Sequence, residues 1–258
     1  MNDYAHVARK RFGQNFLHER GVIDKIVRAI APKDGERIIE IGPGQGALTW
    51  PLLEQIKSLT AIELDRDLIP RLLAEAPKHG ELKIVEADVL SVDFTALAAG
   101  EMIRLVGNLP YNISSPILFH ALDHAAVIRD MHFMLQKEVV ERMAAGHGNK
   151  VYGRLSVMLQ AYCHIEPLFI VPPTAFTPAP KVDSAIVRMT PKAAAEIPQH
   201  DRSRLAQLVR HGFSQRRKTL RNALDEVATL DQLGAAGIDP GARAEQVAVV
   251  DWLRLAAL

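Results

Sequence analysis

The stretch RIIEIGPGQGALT (37–49) constrains this chain more than any other. A β-branched apolar run stops in three glycines at alternate positions, and a stretch with helical spacing, ALTWPLLEQI (47–56), follows at once. A strand that turns into a helix through glycines is the opening unit of a parallel sheet with crossover helices. The alternation continues. Further strands are read at LTAIEL (59–64), LKIVEA (82–87), MIRLVG (102–107) and MHFMLQ (131–136), with a helix over 66–76 and another, 21–31, ahead of the first strand. Their continuous apolar character suits a sheet covered on both faces. SVMLQAYCHI (156–165) and SAIVRM (184–189) read as two more strands, close together with no clear helix between them, and are expected to pair antiparallel at one edge. The fold class is therefore α/β, with a mostly parallel sheet of seven strands. No strand candidate follows TPKAAAEIPQH (190–200), and residues 201–258 read as helices broken by GIDPGAR (237–243). A boundary near 195 gives a sheet-containing domain over 1–195 and a small all-α domain over 196–258, with no internal repeats.

Several function classes drop out early. The single cysteine, Cys163, excludes a disulfide framework and a cysteine-rich zinc site, and its apolar setting reads as core. His120 and His124 share a helix face but have no third ligand in view, so no metal site is expected. The N-terminal segment is polar and no run approaches a membrane span, so a cytoplasmic protein is expected. The net charge is only +1, yet Arg202, Arg204, Arg210, Arg216, Arg217, Lys218 and Arg221 occur without an intervening acid, and Arg9, Lys10 and Arg11 form a second cluster. Such segregation points to phosphate contacts, against the plainer reading of a solvated helix face.

The glycine loop reads G-x-G-x-G, not the dinucleotide spacing G-x-G-x-x-G, so it suits a nucleoside without a diphosphate and disfavours a nicotinamide dehydrogenase. Two acids sharpen this. Glu63 ends the second strand and Asp88 follows the third. At the carboxyl ends of neighbouring strands, the first can accept from ribose hydroxyls and the second from an adenine amino group. Taken singly, each acid reads equally as a helix cap or a solvated turn.

After the fourth strand comes NLPY (108–111). The Asn108 side-chain oxygen and the Leu109 carbonyl can both accept from an exocyclic amine, Pro110 sets the loop, and Tyr111 offers a flat face to a base. An adenine amino nitrogen is a poor nucleophile because its lone pair is delocalised into the ring. Two acceptors aimed at its hydrogens hold that lone pair toward an incoming methyl group and stabilise the charge that builds on nitrogen.

The blocks KRFGQNFL (10–17), IEIGPGQGALT (39–49), AIELD (61–65), EADVL (86–90), GNLPYNISSPIL (107–118), LQKEVVERM (135–143), YGRLSV (152–157), FTPAPKVDSAIVRM (176–189) and FSQRRKTLRNAL (213–224), in this order, make the chain resemble the ribosomal RNA adenine N6,N6-dimethyltransferases over nearly its full length. The resemblance implies a Rossmann-like fold that uses S-adenosylmethionine and no metal. It implies that Asn15 and Leu17 close over the cofactor, that Gly42 meets its amino-acid part, Glu63 its ribose and Asp88 its adenine, and that Asn108 stands between cofactor and target nitrogen. Tyr111 and Phe176 would sandwich an extruded adenine. NLPYNISSP and FTPAPKVDSAIVRM look like the housekeeping branch, which implies dimethylation of two adjacent adenosines in the 3′-terminal hairpin of small-subunit (16S) ribosomal RNA. The partner is then that RNA within the small subunit or its precursor, docked by the helical tail on a monomeric enzyme. The resistance branch acting on one large-subunit adenine, a DNA adenine N6-methyltransferase, and an assembly factor for which methylation is secondary are the alternatives.

Overall fold

The computed structural model describes residues 15–258. The cluster Arg9, Lys10, Arg11 and the start of the KRFGQNFL block lie outside them. By the packing of its backbone the chain divides into two compact units. One comprises the described residues up to Lys137 together with Glu166–Pro191; the other comprises Glu138–Ile165 and Lys192–Leu258.

The first unit is built on a sheet. In chain order the strands are β1 (Phe16–Leu17), β2 (Arg37–Ile41), β3 (Ser58–Glu63), β4 (Glu81–Glu86), β5 (Ile103–Asn108), β6 (Ile128–Gln136), β7 (Cys163–Val171), β8 (Phe176–Thr177) and β9 (Ser184–Pro191). Seven of them lie side by side in the order β4-β3-β2-β5-β6-β9-β7, and β1 pairs with β8 apart from these. β4, β3, β2, β5 and β6 are mutually parallel, and β9 runs antiparallel to β6. The α/β class and the seven-stranded, mostly parallel sheet are thus as the apolar runs indicated. The strand order steps outward from β2 one way and from β5 the other, so the sheet has its switch point between those two strands. Open α/β sheets leave a crevice there, beyond the carboxyl ends.

Two local requirements shape this switch point. Gly107 on β5 faces the neighbouring strand so closely that a Cβ would stand 2.5 Å from the Ile41 carbonyl. Only glycine lets β5 approach β2 this closely before Asn108. Behind the sheet, Ile26, Val27 and Ile30 of the helix Arg20–Ile30 pack with Ile38, Leu52, Leu53 and Val106 in one apolar core. Burial of such side chains stabilises by roughly 1.5–3 kcal/mol each before entropy is subtracted. Arg104 of β5, 6% exposed, is a cation held inside. Its guanidinium meets Asp130 at 2.9 Å, Glu36 at 2.6 Å and the Ile30 carbonyl at 2.6 Å, and Arg129 adds a second cation to Glu36 at 2.8 Å.

SVMLQAYCHI (156–165) is not a single strand. Arg154–Gln160 is a helix, and the strand β7 begins only at Cys163 and continues to Val171. A short run that is apolar throughout carries no periodicity, so it cannot separate a buried helix from a buried strand. Val157, Met158 and Leu159 are indeed all buried. Pro167 hides the real strand from a sequence reading; it is tolerated because β7 lies at the edge of the sheet. β1 and β8, two residues each, are too short to leave a periodic signal.

In the second unit, beyond the sheet, only helices and turns follow Pro191. Asp201 caps the helix Arg202–Ser214, accepting from the backbone N–H groups of Ser203 and Arg204. Trp252, fully buried, anchors this core against Phe213 and over Gly212, where a Cβ would come within 2.6 Å of the indole. Arg216, Arg217 and Lys218 lie in the turn that ends this helix, and they and Arg221 are exposed.

Candidate active site

The cleft beyond the sheet's switch point has a volume of about 350 Å³ and takes its walls from the ends of β2, β3, β4 and β5 together with β1. That is the size range of sites for small organic ligands. Gly42, Gly44 and Gly46 follow β2 with φ of 67°, 58° and 91°, a left-handed run that ordinary side chains resist. It returns the chain into the helix Thr49–Ile56 within one tight loop. The loop is tied to the next strand, since the Gly42 N–H donates to the Ile62 carbonyl at 2.9 Å.

Glu63, at the end of β3, is only 7% exposed. Its carboxylate accepts from the Asp65 N–H at 2.7 Å and from the Gly44 N–H at 3.4 Å, so the acid is fixed to the glycine loop itself. Burial raises its pKa, against the lowering effect of these N–H donors. Asp88 also lines the cleft, but one of its oxygens accepts from the Leu90 N–H at 3.0 Å and caps the turn Val89–Ser91. The acid is thus a cap that also stands on the cleft wall.

Glu40 went unnoticed in the sequence. It is 2% exposed at the end of β2, lines the same cleft, and accepts from the Thr49 hydroxyl at 2.7 Å. Burial, reinforced by the nearby Glu63 charge and opposed by the Thr49 hydrogen bond, raises its pKa to about 7. A signal existed: Glu40 is the charged residue inside the apolar run RIIEIG, where both faces of the strand are covered.

Asn108 ends β5, and its side-chain Nδ2 donates to the main-chain carbonyl of Asn15 at 3.1 Å. Leu109 is buried and its N–H donates to the Met134 carbonyl at 3.1 Å, which prolongs the β5–β6 pairing by one residue. The Pro110 carbonyl accepts from Ile113 N–H in the turn that leads into the helix Ser114–Asp123. Tyr111 is half-buried. Its hydroxyl and that of Ser184 on β9 are 2.6 Å apart, and burial pushes the phenol pKa up. Ser184 is a partner that no motif suggested; the pairing of β9 with β6 brings it there.

Asn15, Leu17, Gly42, Glu63, Asp88, Asn108, Leu109, Pro110 and Tyr111 therefore all line one cleft. Phe176 does not. It is 3% exposed, opposite Leu17 in the β1–β8 pair, and belongs to the apolar core. His120 and His124 are spent elsewhere: their rings stand 5.0 Å apart at the edge of Phe94, with His120 bonded to the Val92 carbonyl and His124 to the Thr95 hydroxyl. Among the described residues no cluster of three or more His, Cys, Asp or Glu could hold a metal ion, and no helix is long and apolar enough to cross a membrane.

The cleft fits a nucleoside with an amino-acid tail. It offers a fixed, buried carboxylate for hydroxyl groups, a loop whose three glycines permit close backbone approach, and apolar walls from Ile62, Leu64, Val89 and Leu90. The family described as Ribosomal RNA adenine dimethylase matches residues 5–258 of the chain. The chain is 61% identical over 255 residues to Ribosomal RNA small subunit methyltransferase A of Xanthomonas campestris pv. campestris (strain B100), covering 99% of this chain and 97% of that protein. It is 62% identical, with the same coverage, to the protein of that name from Xanthomonas oryzae pv. oryzae (strain PXO99A). Among solved structures, a dimethyladenosine transferase from Plasmodium falciparum superposes with a TM-score of 0.78 at 28% identity, covering 93% of this chain and 95% of that one. The 23S rRNA methyltransferase ErmE does so with a TM-score of 0.73 at 28% identity, covering 93% and 98%.

Proposed function

Because the chain belongs to the ribosomal RNA adenine dimethylase family and is thereby an S-adenosylmethionine-dependent rRNA adenine dimethyltransferase, we propose that its substrate is small-subunit ribosomal RNA and that it dimethylates N6 of two adjacent adenosines in the 3′-terminal hairpin. The observation that carries this reading is the meeting of the Glu63 carboxylate and the Asn108–Tyr111 loop on one cleft at the sheet's switch point. The name shared by the Xanthomonas relatives supports the small-subunit assignment.

S-adenosylmethionine, when bound, supplies an electrophilic methyl group from its sulfonium. Every other task falls to the chain. Glu63, fixed by the Gly44 and Asp65 N–H groups, accepts from the ribose hydroxyls. Asp88 uses its cleft-facing side for the adenine amine, and the Gly42 loop and the segment Asn15–Leu17 enclose the amino-acid end. On the far side the target adenine lies against the Tyr111 ring, which the Ser184 hydroxyl holds in place. Phe176, implied by the resemblance as the opposite face of that base, packs in the core opposite Leu17. The Asn108 Oδ1 and the Leu109 carbonyl accept the two N6 hydrogens and stabilise positive charge as the nitrogen is alkylated. The alkylated amine then loses one proton to water. After the first transfer one N–H remains, so one acceptor suffices for the second round. No strong base is needed at either step.

Docking is assigned to the helical region 196–258, where exposed Arg216, Arg217, Lys218 and Arg221 offer phosphate contacts. A monomer working in the cytoplasm completes the proposal.

The test is transfer of labelled methyl groups to small subunits that lack the modification, followed by nucleoside analysis. Label in N6,N6-dimethyladenosine, lost in Asn108→Ala while S-adenosylhomocysteine still binds, supports the reading. Transfer to large-subunit RNA instead sinks the small-subunit assignment, and an active Asn108→Ala sinks the role of Asn108.

A further inference from the structure

A side-chain amide can face a substrate in two ways. One presents an oxygen, the other two N–H donors, and the two orientations have nearly the same shape. For an adenine amine only the first is productive, because donor would otherwise meet donor. The group that decides the orientation of Asn108 is therefore part of the machinery even though it touches no reacting atom. In this fold that group is visible. The Asn108 Nδ2 donates at 3.1 Å to the main-chain carbonyl of Asn15, which accepts and cannot donate.

The residues that follow this carbonyl are held at three points. Phe16 and Leu17 pair antiparallel with Thr177 and Phe176. The His18 N–H donates to the Ala175 carbonyl at 3.0 Å. The Phe16 ring lies over Gly44, where a Cβ would stand 3.3 Å from it. The strap that carries Asn15 is thus anchored both to the glycine loop and to the β8 strand, independently of Asn108.

We propose that the main-chain carbonyl of Asn15 is a positioning group for methyl transfer, engaging the Asn108 amide nitrogen so that Oδ1 faces the target amine. This rests on the reading of Asn108 as the acceptor of that amine. It explains why a short strap far away in sequence is pinned at the tip of β5. It also assigns Asn15 a role that its side chain does not carry, so side-chain replacement at this position leaves the effect in place.

The test weakens the Asn15 carbonyl as an acceptor, at the cost of the Phe16 N–H, and a second ester in the same strap controls for a lost N–H. Replacing Phe16 by phenyllactic acid in the full-length chain turns the Asn15 carbonyl into that of an ester, a weaker acceptor, with every side chain retained. Replacing His18 by its hydroxy-acid counterpart removes the N–H bonded to Ala175 but leaves the Asn15 carbonyl an amide. The proposal expects kcat to fall by on the order of tenfold in the first protein only, with KM for RNA and the S-adenosylhomocysteine Kd unchanged. Equal losses in both proteins would assign the effect to strap anchoring and overturn the proposal. A wild-type rate in the first protein, with Asn108→Ala inactive, would overturn the proposal and leave the function of Asn108 standing. An active Asn108→Ala would remove the premise as well. If the first protein fails to bind S-adenosylhomocysteine, a ¹³C label at the Asn15 carbonyl decides the matter by infrared spectroscopy. The carbonyl band should move to higher frequency in Asn108→Ala, and an unmoved band overturns the proposal.

Discussion

Replacing Glu40 by glutamine should stabilise the protein, and only above about pH 5. The side chain is 2% exposed and its pKa is raised from 4.5 to about 7 by burial, with the Glu63 charge adding to the effect. In the unfolded chain the carboxyl ionises near its ordinary value, whereas in the folded chain it stays protonated until about pH 7. Between these values the folded state binds the extra proton, so stability falls as pH rises. The loss starts near 4.5, is complete a little above 7, and persists beyond. At about 1.4 kcal/mol per pH unit, the full difference is roughly 3 kcal/mol, taken as an upper bound.

A glutamine in place of Glu40 is neutral throughout and its side-chain carbonyl can still accept from the Thr49 hydroxyl, so the loss disappears. Burial of its second N–H group without a partner costs roughly 1–3 kcal/mol, which leaves a net gain between zero and about 2 kcal/mol at pH 8. Urea unfolding followed by tryptophan fluorescence reports the first unit through Trp50, which lies on the adjoining helix. With a slope of about 1–3 kcal/mol/M, the difference in midpoint between variant and wild type should grow by about 1–3 M in favour of glutamine from pH 4.5 to pH 8. A midpoint difference that does not change with pH would refute the assignment of a buried, neutral Glu40.

Three further substitutions have outcomes set by the contacts described above. Arg104→Ala leaves Asp130 and Glu36 without their central cation and should destabilise by about 3–5 kcal/mol near neutral pH. Burial works against the Asp130 charge, but His132 and Arg104 more than offset it and hold the carboxyl at about 2. The wild-type advantage from this pair is present above the ordinary carboxylate range and is lost as pH falls toward 2, so the gap between the two proteins should narrow in acid denaturation. Tyr111→Phe removes only the bond to the Ser184 hydroxyl and should cost about 1 kcal/mol of stability with methyl transfer largely kept. Tyr111→Ala should abolish transfer while S-adenosylhomocysteine still binds, as measured by calorimetry.

The parallel sheet and the order of its glycine loop, acids and NLPY turn were legible because each is local. β-branched runs ending in turn residues specify strands, and an acid at a strand's end keeps its place whatever packs around it. What escaped was whatever depends on a partner distant in the chain. The run SVMLQAYCHI does not say which of its residues are helical, because burial on all sides erases the period, and Pro167 masked an edge strand whose missing N–H costs nothing at the sheet's margin. Glu40 was legible as a charge in an apolar strand; that it is held neutral follows only from its burial beside Glu63.

The chemistry of the site was likewise present in residue types: an amide, a proline and an aromatic ring after β5, and a carboxylate after β3. Their relative positions were not. The amide of Asn108 meets the carbonyl of Asn15, 93 positions earlier, and Tyr111 meets Ser184, 73 positions later. Phe176, which the family resemblance implies against the base, lies opposite Leu17 and packs in the apolar core. Sequence by itself determined which groups are available, since propensity and side-chain chemistry belong to single residues and near neighbours. Tertiary structure decided which of them face one another and which are neutral, because orientation and desolvation arise only when remote segments exclude water together.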